Sequence, residues 1–83
     1  MKIVKITSLG CTSCIIVNDT MDKILKNYDL KIKELDYDFD DYTYEVGTIL
    51  PVLIFEDENG NELSRLTGEV SYKEIENEIN KYM

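Results

Sequence analysis

The chain has 83 residues, of which 43% are hydrophobic and 31% charged, with 17 acidic against 9 basic side chains and a net charge of −8. That length allows one compact domain with a modest core, and the composition excludes a disordered tail. The acidic balance argues against nucleic-acid binding, and nowhere is there an apolar run long enough to cross a bilayer.

In chain order, "KIVKIT" (residues 2 to 7) alternates charged and apolar side chains and is rich in β-branched residues, predicting a strand over residues 2 to 8. The opening lacks the unbroken apolar core of a signal peptide, so a cytoplasmic protein is expected. Next comes "LGCTSC" (residues 9 to 14), holding the only two cysteines in the chain. Beyond it Ile16, Val17, Met21, Ile24, Leu25 and Tyr28 recur at helical spacing, with Asn18, Asp19, Asp22, Lys23 and Lys26 between them. This predicts a helix from Thr12 to Asn27.

"LKIKELDYD" alternates again and predicts a second strand over 31 to 37, with a register change near Glu34. "DFDDYTYEVG" is ambiguous: its aspartates favour a helix start, and Gly47 is placed to close a short helix. "PVLIFED" is a nearly continuous apolar run, expected for a strand (52 to 56) buried on both faces. "DENG" is a turn and "NELSRLT" its antiparallel return. "SYKEIENEINKYM" then sets Tyr72, Ile75, Ile79 and Tyr82 on one face of a final helix, with Ser71 and Glu74 spaced as a capping box.

The two cysteines can exchange electrons, grip a soft metal or close a small bridge. A structural bridge is the weakest option, because so short a loop stabilises little and a reducing compartment disfavours it. For exchange, the strand-to-helix junction supplies what is needed. Backbone N–H groups and the helix dipole at Cys11 favour a thiolate there, and Cys14 lies one turn inside, within reach of a mixed disulfide on Cys11. Thr12 and Ser13 lie between the cysteines at tuning positions, contributing hydroxyls but no charge.

The order β-α-β-α-β-β-α, together with Cys11-Thr-Ser-Cys14, Ile49-Leu50-Pro51 and Gly68, resembles the thioredoxin fold family over the whole chain. The resemblance implies a thioredoxin-like α/β fold, and the reading of the chain is a four-stranded mixed sheet flanked by helices, with the first three strands in chain order parallel and the fourth antiparallel. It also implies a cis Pro51 facing the cysteines, with Leu50, Pro51 and Gly68 shaping a groove for substrate. The implied activity is dithiol–disulfide oxidoreduction in the direction of reducing protein disulfides, with Cys11 as nucleophile and Cys14 as resolving thiol. No cofactor is implied beyond the redox-active disulfide. Partners would be disulfide-containing proteins and an upstream thiol reductase, acting on a monomer.

Lacking the extra N-terminal strand and helix of full-length thioredoxins, the chain is similar to glutaredoxins and short thioredoxins. Thr-Ser within the motif, Ile-Leu-Pro and a single Gly68 do not match the usual glutaredoxin glutathione site, which leaves a thioredoxin-like partner range. Gly10 stands where thioredoxins usually carry tryptophan. Thioredoxins also bury an aspartate six residues before the first cysteine, opposite a lysine; here Lys5 and Glu34 occupy those places with the charges exchanged. Two readings of Lys5 and Glu34 stand side by side: a partly buried pair that tunes Cys14, or two solvated side chains on a sheet face.

The alternative is a soft-metal module for copper or zinc, since the first 25 residues also resemble the start of a heavy-metal-associated domain. Leu9 stands where that family has methionine, the chain contains no histidine, and the proline-led hairpin and terminal helix have no counterpart there.

Overall fold

The computed structural model describes residues 2–8, 10–37 and 49–82. Its elements are β1 (Lys2–Thr7), α1 (Thr12–Leu25), β2 (Lys31–Asp36), β3 (Val52–Glu56), β4 (Glu62–Thr67) and α2 (Tyr72–Tyr82). They form one sheet in the order β2-β1-β3-β4. The short helix expected before Gly47 lies outside the described residues.

β1 and β2 are parallel, as a strand–helix–strand unit requires. β3 is antiparallel to β1, which corrects the expectation of three parallel strands. The reason is geometric. β2 ends at Asp36 beside Thr7, and β3 begins at Val52 beside Ile6, so both lie at the same end of the sheet. Chain that leaves and re-enters at one end reverses direction. The register change expected at Glu34 is also absent: the β1–β2 pairing runs unbroken from Lys2 and Lys31 to Thr7 and Asp36. An irregularity lies instead between Phe55 and Glu56, where β3 meets β4.

One face of the sheet contributes Ile3, Leu53 and Phe55 to a core closed by Val17, Met21 and Ile24 of α1 and by Ile75 and Ile79 of α2. Val4, Ile6, Leu35, Val52 and Ile54 are buried on the other face. All five β3 residues are buried, in keeping with their apolar run, although that run ends in a carboxylate. Glu56 is only 2% exposed, and its partner is the Lys2 ammonium at 3.3 Å.

The ends of the elements follow local chemistry. The Ser71 hydroxyl accepts the Glu74 N–H at 3.2 Å and caps α2. Tyr72 and Tyr82 flank the buried Ile75 and Ile79 and are half-buried. In the β3–β4 turn, Asp57 Oδ1 accepts the N–H groups of Asn59 and Asn61, each at 2.9 Å, while Gly60 takes a positive φ of 86°. The Asn61 N–H, foremost among these donors, holds the Asp57 carboxyl below its usual pKa against an opposing desolvation. A carboxyl more acidic in the folded than in the unfolded chain stabilises the fold above its unfolded pKa of about 4, and that contribution disappears as pH falls through the folded value. Asp57→Ala is therefore expected to lower the denaturant midpoint modestly at pH 7. The two proteins should converge in strong acid, which chemical denaturation across a pH series will check.

Candidate redox site

The site begins where β1 ends. Gly10 takes a positive φ of 78°, a conformation that costs glycine little, and turns the chain into α1. Cys11 is the N-cap residue, with extended φ and ψ of −84° and 105°, and its sulfur accepts the Cys14 N–H at 3.2 Å. A sulfur thus takes the place that a serine or aspartate oxygen fills at most helix starts. The first turn of α1 carries no acidic side chain to oppose negative charge at this sulfur.

Cys11 and Cys14 form a disulfide with their Cα atoms 5.2 Å apart. The two sulfurs differ in access: Cys11 is half-buried and Cys14 is only 2% exposed. Thr12 is exposed and Ser13 half-buried in the turn between them.

The antiparallel arrangement brings distant segments to the same end of the sheet. Thr67 pairs with Val52, which pairs with Ile6, so the chain after β1, the chain before β3 and the chain after β4 emerge together. The Leu50–Pro51 peptide is cis, Pro51 is buried and Leu50 half-buried. The Gly68 N–H donates to the Pro51 carbonyl at 2.9 Å, so these two expected site residues are in direct contact. Gly68 has a φ of 81°, and a Cβ there would stand 3.4 Å from Ile49 Cγ2. Ile49 is exposed and adds an apolar side chain at this rim.

Lys5 and Glu34 are register partners, and their side chains meet at 2.8 Å. The pair is lopsided: the Lys5 side chain is 7% exposed and that of Glu34 70%. Lys5 is paired with Leu53 across the ladder and so shares the face covered by α1.

Sequence periodicity misplaced two parts of α1. Ile16 and Leu25, assigned to the apolar stripe, are exposed, as is Ile15, and the buried stripe is Cys14, Val17, Met21 and Ile24. Asn18, assigned to the polar face, is half-buried with its Oδ1 enclosed. The signal for Asn18 was its position four residues after Cys14, which puts the two on one side of the helix. A depression of about 540 Å³ lined by Lys2, Asp29, Lys31, Asp57 and Glu58 opens at the opposite end of the sheet and holds charges of both signs.

No protein-family model and no curated protein matches the sequence. Solved structures do match the fold. Thioredoxin-2 of a malaria parasite, described as a component of protein secretion machinery, superposes with a TM-score of 0.80 at 22% identity, over 96% of this chain and 81% of that one. Thioredoxin 1 of the thermophilic eubacterium Thermosipho africanus gives 0.73 at 26% identity, over 99% and 93%. The Schistosoma mansoni thioredoxin pre-protein gives 0.73 at 18%, over 98% and 77%. The chain has the thioredoxin fold, with its cysteine pair as a disulfide at the start of the first helix. The proline-led hairpin, which has no counterpart in the heavy-metal-associated alternative, is present here as the antiparallel pair β3–β4.

Gly68→Ala should cost about 1–2 kcal/mol through its left-handed φ. The expected outcome is a thermal midpoint lower by roughly 5–10 °C, read by circular dichroism.

Proposed function

We propose that the protein is a thiol–disulfide oxidoreductase that reduces disulfides in protein substrates. The observation that carries this is the unequal pair at the α1 N-terminus: a half-buried Cys11 sulfur already accepting a backbone N–H, and an enclosed Cys14 bonded to it. In the dithiol state the same N–H and the helix dipole favour a Cys11 thiolate. That thiolate attacks one sulfur of a substrate disulfide, forms a mixed disulfide and releases the other substrate sulfur as a thiolate. Cys14 loses its proton and attacks the Cys11 sulfur. The second substrate thiolate leaves, and the Cys11–Cys14 bond closes. Two electrons have passed to the substrate, and an external thiol reductase returns them through the reverse exchange. The disulfide itself is the only redox group this cycle needs.

In this proposal Leu50, Pro51 and Gly68 form the wall against which a substrate segment lies, with Ile49 as an apolar contact at its rim. Thr12 and Ser13 set the access to Cys11. A monomer in the cytoplasm completes the proposal; among the described residues no helix is long and apolar enough to cross a membrane.

An equilibrium titration in glutathione buffers, read by counting alkylated thiols, tests the function. The expected outcome is one two-electron step near about −270 to −200 mV. Cys11→Ser should abolish insulin reduction, and Cys14→Ser should accumulate a mixed disulfide on Cys11 visible by mass spectrometry. A metal-free protein that forms no intramolecular disulfide would overturn the proposal.

Lys5 adds a tuning role. A buried ammonium on the face covered by α1 favours the thiolate form of Cys14 over the thiol. Lys5→Met in a Cys11→Ser background is expected to move ionisation of the Cys14 thiol to higher pH, followed by thiolate absorbance. Lys5→Arg should retain the parent profile, and a Lys5→Met profile superposing on the parent's would reduce Lys5 to a structural partner of Glu34.

A further inference from the structure

Asn18 stands outside the machinery described above. It flanks the buried stripe of α1 one turn after Cys14. Helical side chains lean toward the helix N-terminus, so the residue at i+4 covers the turn that residue i occupies. Asn18 is half-buried, yet its Oδ1 is enclosed and meets no hydrogen-bond donor among the described residues. An amide oxygen turned inward without a donor is costly, and each such group in a folded protein calls for an explanation.

Its neighbour one turn back supplies one. In the disulfide state Cys14 has no hydrogen to donate. Reduction adds two electrons from an external thiol couple and two protons, the S–S bond breaks, and Cys14 gains an S–H group. We propose that Asn18 is a positioning residue for the exchange reaction: its Oδ1 accepts the S–H of Cys14 in the dithiol state and is left without a donor when the disulfide closes. This rests on the oxidoreductase function proposed for Cys11 and Cys14.

The consequence has a definite sign. An acceptor satisfied only in the dithiol state stabilises that state relative to the disulfide, which makes the protein a weaker reductant than the same chain without it. Among the described residues Lys5 is the buried charge on this side of the sheet, with Glu34 as its partner, and Glu56 is buried on the other side. On α1 itself, the exposed Asp19 pairs with Lys23, and Asp22 is exposed. Lys5 favours the thiolate of Cys14 and Asn18 its protonated thiol, so loss of each side chain moves the thiol in opposite directions.

The test uses the full chain carrying Asn18→Leu, with Asn18→Ala as the second variant because alanine is the better helix former. Each is equilibrated with glutathione buffers beside the parent, and alkylated thiols are counted. The expected result is a dithiol-to-disulfide ratio lower by roughly five- to tenfold at fixed poise, a midpoint about 20–30 mV more negative. In the Cys11→Ser background the Cys14 thiol should ionise at lower pH than in the parent. Ratios within about twofold of the parent in both variants, with the parent itself showing a reversible two-electron step, would overturn the role of Asn18 and leave the oxidoreductase function standing. A parent that forms no disulfide would overturn both.

Discussion

The β1–β3 ladder sets Ile6 opposite Val52, and the site depends on that pairing. Because the two strands run in opposite directions, the last residues of one lie beside the first residues of the other. The chain that leads from β1 into the cysteine turn therefore emerges at the same end of the sheet as Pro51, although some 40 residues separate them in sequence. The β3–β4 pairing of Val52 with Thr67 then delivers Gly68, whose N–H fixes the Pro51 carbonyl. Backbone hydrogen bonds of a buried central strand thus position groups that have no contact of their own in the sequence.

The same sheet encloses two charged side chains, one on each face. Lys5 lies on the α1 side and reaches out to an exposed Glu34, whereas Glu56 lies on the other side and is reached by Lys2. Burying a charge is tolerated only with a partner, and each of these has one from a neighbouring strand. Both partners are near the surface, so water shares in screening them and neither pair is a large source of stability. Their difference lies in location. Lys5 is close to the end of β1 that leads into the cysteines, and Glu56 ends β3 at the far end of the sheet.

Much of the fold was legible. Alternation in "KIVKIT", the apolar run "VLIFE", the "DENG" turn and the Ser71 cap each became the expected element, because each rests on forces between residues near in sequence. The direction of β3 was not legible. A strand buried on both faces has the same apolar pattern whether it pairs parallel or antiparallel, and only the end of the sheet from which it enters decides. The unbroken register at Glu34 shows the same limit, since an exposed glutamate on the edge strand can stay in register as the partner of a buried lysine on the next strand. Within α1, the isoleucines at 15 and 16 face solvent while Asn18 turns inward. Hydrophobicity alone inverts both assignments beside a reactive centre. The cysteine pair was legible from its spacing, and Pro51 and Gly68 entered as candidates through the family resemblance; the hydrogen bond between Gly68 and Pro51 needed the sheet.

The bridge between Cys11 and Cys14 joins residues only three positions apart, at the first turn of a helix. Linking points so close removes little freedom from the unfolded chain, so opening the bond releases little. With no third cysteine, the chain also has no rival partner for an incorrect internal link. Under the proposed function, electron storage is in this way kept apart from architecture: the bond would open and close while the sheet beneath it, held by its own ladders and two apolar layers, has no reason to come apart.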